Sequence, residues 1–227
     1  RGRLLVKEAL NVNSVQGMVR LVRSVLRMTL CFELAGVVLS FLVFVQDYPP
    51  LRALWISVFH SIAAFNNSGF DILGGLQNLI PYRDNVLLNL TTCGLIICGG
   101  LGFLVMIDLY RAKSFHRLTL HSKVVLTTTG ALLLAGTLLL KATEEMTWLG
   151  AFFHSVSART AGFSTYPMGE LTNAGLFVLI LLMFIGASPG STGGGIKTTT
   201  FFTLMQEVRT VFSKRRPEAF HRSLPVE

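Results

Sequence analysis

Residues 59–70 read FHSIAAFNNSGF, and residues 153–163 read FHSVSARTAGF. Both segments begin with Phe-His-Ser, continue through apolar and small residues, and close on a small residue followed by Gly-Phe. Such internal similarity is typical of a structural unit that a chain uses more than once. The fold is therefore predicted to contain two copies of whatever surrounds these segments.

The composition indicates that both copies lie in a membrane. Of the 227 residues, 51% are hydrophobic and only 14% are charged, whereas soluble domains have about 25% charged residues. No charge occurs within residues 85–107 or 171–196, and roughly 20 apolar residues let a helix cross a ~30 Å hydrocarbon core. An integral membrane protein is predicted, which excludes a disordered chain and disfavours a soluble enzyme.

Long and short apolar runs alternate along the chain. The long runs predict four membrane spans, at 28–46, 86–107, 124–140 and 172–187. Two shorter runs, 53–65 and 146–158, overlap the repeated segments. Helices of that length do not cross a bilayer and are typical of re-entrant segments. Each repeat is thus predicted to consist of a span, a short helix, a glycine turn and a second span.

Basic residues set the predicted orientation, since loops rich in Lys and Arg stay cytoplasmic. The 20 Lys and Arg outnumber the 12 Asp and Glu, and they concentrate before, between and after the repeats. This topology accounts for the excess of bases, so no nucleic-acid partner is expected. The predicted organisation is a cytoplasmic head 1–27, a first repeat 28–110, a cytoplasmic loop 111–123, a second repeat 124–204 with a broken last helix, and a cytoplasmic tail 205–227. Residues 205–216 could form an amphipathic helix on the inner surface.

Each short helix is expected to enter from outside and to end in its glycine turn near the middle of the membrane. The C-terminus of a helix carries about half a negative charge, and glycine allows backbone angles that point successive carbonyls at one axis. Rings of carbonyls replace the hydration shell of the ion in potassium filters. We predict a cation pathway whose only metal ligands are backbone carbonyls. The filter residues are Asn67, Ser68, Gly69, Phe70, Thr160, Ala161, Gly162 and Phe163.

The alternative is that Gly69 and Gly162 only let helices pack closely, as small residues do in membranes. Their recurrence at the same point of both repeats favours the filter. The predicted fold class is all-α integral membrane, with two span–pore-loop–span repeats that form half of a fourfold pseudo-symmetric, potassium-channel-like pore. The other half must come from further chain or from a second subunit.

The last span is interrupted at residues 188–198, which read SPGSTGGGIKT. Proline and four closely spaced glycines cannot continue an ordinary helix. The run looks like a phosphate-binding loop, but Ile196 separates the last glycine from Lys197 and no strand precedes it, so nucleotide binding is disfavoured. We interpret the segment as a flexible break below the filter, where Ser191 and Thr192 offer oxygens to water or to a cation.

These motifs together resemble the Trk/Ktr/HKT superfamily of potassium transporters, most closely its Ktr membrane subunit. There the second repeat carries Asn-Asn-small-Gly-Phe, the third carries Arg-Thr-Ala-Gly-Phe, and a Ser-Pro-Gly-Ser-Thr segment breaks the last helix of the third. The same three motifs occur here at 66–70, 159–163 and 188–198. The resemblance covers residues 28 to about 212 and only two of the four repeats of that superfamily. It suggests that the chain is a piece of a longer protein.

The resemblance implies potassium transport by a multi-pass protein of a bacterial plasma membrane, with sodium as a second candidate ion. It implies neither enzyme activity nor an organic cofactor. Membrane lipid surrounds such a protein. The other expected partners are a second copy of the full-length chain and a cytosolic ring of nucleotide-binding regulatory subunits, which would dock on the basic inner surfaces.

The resemblance also implies that the broken segment is an intramembrane gate. The gate residues are Gly190, Ser191, Thr192, Gly193, Gly194, Gly195 and Lys197. Lys197 would place a positive charge near the cavity, where it could slow cation flow. An equal alternative is a lysine that snorkels to the inner interface.

Four further polar groups lie in apolar surroundings. Glu33, inside the first span, is expected to pair with a basic residue, and Arg159, beside the filter, with an acid. The candidate acids are Glu144, Glu145 and Glu170. His60 and His154 recur at one position of the repeat without a third ligand. We interpret them as hydrogen-bonded groups of the short helices rather than as metal ligands.

Two other functions stay open. A secondary transporter could hold an anionic or organic substrate at the broken helix, although it would need inverted repeats, and these repeats share one orientation by charge. A non-conducting accessory subunit of an ion-pumping ATPase is the second, and only a flux measurement separates it from a conducting subunit.

Overall fold

The computed structural model describes residues 15–112, 114–213, 218–219 and 222–223. The first repeat contains helices α1 (Val15–Phe44), α2 (Pro50–Phe65), α3 (Val86–Leu101) and α4 (Phe103–Ala112), and the second contains α5 (Leu120–Thr143), α6 (Trp148–Ser157), α7 (Asn173–Phe184) and α8 (Thr198–Ser213). Short 3-10 helices lie at Ile80–Tyr82, Phe115–Arg117 and Met168–Glu170. The two-residue strands β1 (Glu218–Ala219) and β2 (Arg222–Ser223) pair in antiparallel fashion.

The predicted all-α architecture is confirmed, apart from that small strand pair in the tail. Residues 1–14 of the predicted head lie outside the described part of the chain. So does Lys113 of the predicted cytoplasmic loop, and so do 214–217, 220–221 and 224–227 of the predicted tail. Of the amphipathic helix predicted at residues 205–216, residues 205–213 belong to α8, and 214–216 lie outside the described residues. Its position on the inner membrane surface stays a prediction.

The two short helices are α2, with 16 residues, and α6, with 10 residues. Pro50 begins α2, where its missing N–H group costs no helical hydrogen bond. Thr147 caps α6, since its hydroxyl accepts a hydrogen bond from the Gly150 amide at 3.1 Å. At about 1.5 Å per residue, both helices are shorter than the ~30 Å hydrocarbon core. Each is therefore long enough to enter a membrane but not to cross it.

The sequence repeat corresponds to a repeat of contacts. Ser61 of α2 donates to the carbonyl of Glu33 in α1 at 2.6 Å. Its counterpart in α6, Ser155, donates to the carbonyl of Leu133 in α5 at 2.9 Å. In both repeats the short helix is therefore attached to the preceding long helix by the serine of the Phe-His-Ser motif.

A glycine in each long helix makes this close approach possible. A Cβ on Gly36 of α1 would lie 2.7 Å from Leu95 Cδ1, and one on Gly136 of α5 would lie 2.8 Å from Leu182 Cδ1. Both added atoms would also collide with the serine of the short helix. The three helices of each repeat thus pack around one glycine, and the internal symmetry extends well beyond the repeated motif.

The predicted span 86–107 is not one straight helix. It bends by 99° between α3 and α4, at Gly102, whose φ is +88°. By length and composition, residues 19–44 of α1 and the whole of α5 can each cross a membrane, and α3 with α4 counts as a third crossing if the bent pair is one span. The four crossings and their orientation stay predictions.

The predicted interruption of the last span is present. Helix α7 has only 12 residues, and residues 185–197, called the gate segment below, separate it from α8. Within this segment the Gly186 amide donates to Ile196 and the Ala187 amide donates to Gly194, both at 3.0 Å. The segment thus folds back on itself and satisfies some of its own backbone groups, as irregular backbone at membrane depth requires.

The main apolar core joins the two repeats rather than lying within either one. It includes the C-terminal part of α2, the middle of α3 and the buried face of α6. Its fully buried aromatic members include Phe44, Phe65, Phe153 and Phe163. This shared core holds the two glycine turns in fixed positions relative to each other.

Candidate functional site

The two glycine turns touch each other. Gly69 has φ +71° and Gly162 has φ +87°, a region that favours glycine. A Cβ on Gly69 would lie only 2.6 Å from the carbonyl oxygen of Ala161 and 3.0 Å from the Cα of Gly162. The structure therefore brings the predicted filter residues of both repeats to one place.

The residues two positions before these glycines are also alike. Asn67 has φ +51° and Thr160 has φ +70°, which is unusual for residues with a side chain and is a form of strain found at functional sites. The buried amide atoms of Asn67 and the hydroxyl of Thr160 have no hydrogen-bond partner among the described residues. Both side chains thus present unpaired polar atoms at equivalent positions below the turns.

Most of the predicted filter carbonyls are free of protein donors. In the part of the chain that the structure describes, no donor reaches the carbonyl oxygens of six of them. These six are Asn67, Ser68, Phe70, Thr160, Ala161 and Gly162. The other two are engaged, since the Gly69 carbonyl accepts a hydrogen bond from Asn78 at 3.1 Å and the Phe163 carbonyl accepts one from Ser157.

Asn78 is a site residue that the sequence reasoning missed. Its side-chain nitrogen donates to Gly69 in the first pore loop, and its side-chain oxygen accepts from the Ser164 amide in the second at 3.0 Å. The Leu79 amide adds a backbone bond to Ser164 at 3.0 Å. Asn78 therefore clamps the two loops together just outside the glycine turns. No sequence signal pointed to it, because Asn78 lies outside the repeated segment 59–70.

The two predicted filter phenylalanines differ in environment. The Phe163 ring is 1% exposed and packs edge-on against His60 of the first repeat at 5.3 Å. The Phe70 ring is 70% exposed. The phenylalanine of the second repeat thus packs between the two repeats, whereas the equivalent phenylalanine of the first repeat is exposed.

The gate segment lies directly below both turns. Its Thr192 donates through the hydroxyl to the Phe65 carbonyl at 3.0 Å and through the amide to the Gly99 carbonyl at 3.2 Å. A Cβ on Gly193 would lie 2.5 Å from Thr160 Oγ1 and 3.0 Å from Asn67 Nδ2. The segment therefore joins the C-terminal ends of α2 and α3, and Gly193 fits only because it lacks a side chain.

The bend after α3 has its cause in the same contact. The Ser188 amide donates to Gly100 at 3.0 Å, and the Phe103 amide donates to Gly190 at 3.1 Å. A Cβ on Gly102 would lie 2.6 Å from the carbonyl oxygen of Pro189. The gate segment thus packs against the chain at the bend, and it forms hydrogen bonds with backbone groups at the end of α3 and the start of α4.

The remaining gate residues make contacts within the segment. Ser191 donates to the Ser188 carbonyl at 2.6 Å, so its hydroxyl, like that of Thr192, is engaged with protein. The ammonium group of Lys197 donates to the Gly193 carbonyl at 2.8 Å. The ammonium group of Lys197 therefore lies against the backbone of the same segment, and the two interpretations of Lys197 stay predictions.

The ion pair expected for Arg159 with Glu144, Glu145 or Glu170 is wrong, and the described residues show no basic partner for Glu33. Arg159 donates to the Gly186 carbonyl at 3.2 Å and contacts Thr129 Oγ1 at 3.5 Å, not a carboxylate. Glu33 accepts a hydrogen bond from the Asn66 amide group at 3.3 Å. Both partners become neighbours only through the packing of helices that are distant in the sequence.

One predicted acid partner of Arg159 has a different role. Glu144 accepts hydrogen bonds from the amide and the hydroxyl of Thr172 at 3.0 Å and 2.7 Å. It therefore joins the C-terminal end of α5 to the start of α7.

The two repeated histidines are hydrogen bonded, as predicted. His60 Nε2 lies 2.8 Å from Thr92 Oγ1 in α3. His154 Nε2 lies 3.3 Å from Thr165 Oγ1, in the segment that follows the second turn. The partners differ between repeats, but in both the imidazole attaches the short helix to its surroundings.

Two re-entrant helices whose glycine turns meet above a broken helix define a pore-loop integral membrane protein. The chain belongs to the TrkH family of cation transport proteins, whose family model matches residues 6–143 and 123–222. This membership confirms the resemblance stated above.

Similar curated proteins are named for the uptake of potassium. The chain is 36% identical to the potassium/sodium uptake protein NtpJ of Enterococcus hirae, covering 98% of this chain and 51% of that protein. It is 36% identical to Ktr system potassium uptake protein B of Vibrio alginolyticus, covering 95% of this chain and 50% of that protein. The chain thus spans about half the length of the curated relatives it matches. They are named as uptake proteins and not as enzymes.

A solved structure has the same fold. The potassium transporter TrkH from Vibrio parahaemolyticus superposes with a TM-score of 0.72 at 19% identity, covering 96% of this chain and 48% of that one. The two chains therefore share an overall fold over the matched region.

Proposed function

We propose that this chain forms part of a potassium-selective pathway in which the two glycine turns supply half of the filter. The main support is that both turns meet and leave six carbonyls without protein donors. Unpaired carbonyls at membrane depth are costly unless an ion or water satisfies them. A dehydrated alkali ion is the ligand that such oxygens suit.

The rest of the ring is proposed to come from two further pore loops. Two loops surround an axis only partly, and the exposed Phe70 ring marks an open side of the first repeat. The full-length relatives are about twice as long as this chain. With only half of a filter to read, sodium stays a second candidate ion, and NtpJ is named for uptake of both ions.

The gate segment is proposed to obstruct the pathway below the filter in the conformation described. Gly193 lies against Asn67 and Thr160, and Lys197 holds the Gly193 carbonyl from the inner side. Opening would require this segment to move away from the ends of α2 and α3. That motion breaks the two hydrogen bonds of Thr192, a modest cost of about 1 kcal/mol each.

The cellular setting is proposed from the family and the charge pattern. A multi-pass protein of a bacterial plasma membrane agrees with the basic inner loops. A homodimer of the full-length chain and a cytosolic nucleotide-binding ring are proposed as partners. Support for partners is that one relative is named as protein B of a Ktr system.

The test is potassium flux by the complete natural gene product, purified and reconstituted in liposomes. Uptake of potassium that is saturable and exceeds that of sodium is expected. Gly162→Ser should reduce the preference for potassium, because it adds a side chain at φ +87° in the filter. Gly169→Ser is the control, since nothing lies within 4 Å of its Cβ position. An accessory subunit would give no flux, and a secondary transporter would give flux only with its organic substrate.

A further inference from the structure

Arg159 is a buried cation that immediately precedes the second filter loop. Its side chain is bonded through one terminal nitrogen to the Gly186 carbonyl at 3.2 Å, with Thr129 Oγ1 at 3.5 Å. The residue is 8% exposed, and its Nε has no partner among the described residues. A guanidinium group so placed is costly unless its charge is balanced.

Helix ends, rather than a carboxylate, supply that balance. In the described ranges the ion pair found is between Arg83 and Asp84, on the surface. Arg159 follows the end of α6 at Ser157, and its acceptor Gly186 follows the end of α7 at Phe184. Each helix C-terminus carries about half a negative charge. The cation therefore lies where the C-terminal ends of two helices converge.

Four elements of the pathway meet around this side chain. Arg159 lines a cavity of about 10 Å³ together with Gly100 of α3, Thr129 of α5, Val156 of α6 and Ala187 of the gate segment. A space of that size accommodates about one water molecule. The guanidinium thus has little freedom to follow its acceptor if the gate segment moves.

We infer that Arg159 is a positioning residue that couples the second filter loop to the gate segment. This inference rests on the proposed function. The Gly186 carbonyl belongs to the stretch that folds back on itself through the bond from the Gly186 amide to Ile196. Displacing that stretch either leaves the buried guanidinium without its main acceptor or pulls on Thr160, the next residue and the start of the filter loop. Gate position and filter geometry are therefore not independent.

A double-mutant cycle on the full-length protein measures this coupling. Lys197→Met loosens the gate by removing the 2.8 Å bond to Gly193, and Arg159→Met removes the proposed connection. The readouts are the maximal rate and the apparent KM of potassium uptake in liposomes, per amount of protein incorporated. Coupled residues should make the double variant deviate from the product of the single effects, by roughly tenfold.

A matched control cycle uses Lys141→Met in place of Lys197→Met, again combined with Arg159→Met. Lys141 donates to the Met146 carbonyl at 2.7 Å, a similar bond at the other end of α5. Arg159→Met and Lys141→Met should combine without deviation. If both pairs are multiplicative, or if both deviate alike, Arg159 is only a structural residue and the inference is wrong.

A second readout does not need flux. A cysteine at Ser191, in a chain whose natural cysteines are replaced, reports gate position through its rate of modification by a thiol reagent. With this modification rate as the readout, the double variant Arg159→Met, Lys197→Met should again deviate from the product of the two single effects. If the wild-type protein conducts no potassium, the proposed function fails while this labelling still decides the coupling. If Arg159→Met does not accumulate, Arg159→Lys takes its place, because its shorter side chain lacks the forked donors that reach Gly186.

Discussion

Gly69→Ala and Gly162→Ala should differ strongly, although the two glycines occupy equivalent positions. Both have a left-handed backbone, with φ +71° and +87°, and each alanine pays roughly 1–2 kcal/mol for that conformation. The Gly69 position has no room for a methyl group, since its Cβ would lie 2.6 Å from the Ala161 carbonyl oxygen. At Gly162 the nearest atom, the Gly69 Cα, is at 3.5 Å, an ordinary contact.

The clash adds a further cost for Gly69→Ala alone. Forcing an extra carbon into a packed site costs typically about 1–3 kcal/mol, and here the colliding group is backbone that must shift with the filter. Gly69→Ala should therefore lower the free energy of unfolding by about 1–3 kcal/mol more than Gly162→Ala does, as measured by thermal unfolding. Because the displaced backbone belongs to the proposed filter, Gly69→Ala should also reduce the preference for potassium over sodium more than Gly162→Ala does.

The assay is competitive uptake of potassium and sodium by the reconstituted full-length protein, at equal amounts of each variant. Gly74→Ala is the control, because Gly74 has φ +90° but nothing within 4 Å of its Cβ position. Gly74→Ala carries the energetic cost of a left-handed backbone without a clash and outside the filter, so it should leave the preference for potassium over sodium unchanged. An effect of Gly162→Ala equal to or larger than that of Gly69→Ala would refute the contact between the two turns.

Two further variants test the surroundings of the filter. Asn78→Ala removes the clamp between the pore loops, so it should increase sodium uptake relative to potassium uptake and lower the free energy of unfolding by about 1–3 kcal/mol. Ion uptake and thermal unfolding measure these two effects. The control is Gln77→Ala, a change at a neighbouring exposed residue. Gly102→Ala would place a Cβ 2.6 Å from the Pro189 carbonyl oxygen, so it should displace the gate segment. The modification rate of a cysteine at Ser191 should then change roughly tenfold. An unchanged rate would contradict the proposed cause of the bend.

Much of the candidate site could be predicted because its signals are local. A few consecutive residues are enough to predict each of three features: the glycine turns, the short helices before them and the broken last helix. The internal repeat showed that the two short helices and their turns occupy equivalent positions. The prediction that Arg159 would pair with a nearby acid was wrong for a physical reason. A buried charge can be stabilised by amide groups and helix ends, and no short stretch of sequence reveals which of these will be near.

By itself, the sequence determined that the chain enters the membrane as two pore-loop repeats, because hydropathy and glycine-containing turns act over distances of a few residues. Only the tertiary structure decided that Asn78 clamps the loops, that α3 bends at Gly102, and that Arg159 reaches the gate segment. Each depends on segments far apart in the chain meeting at one point. Packing and carbonyl satisfaction at that point, rather than local preference, select the conformation.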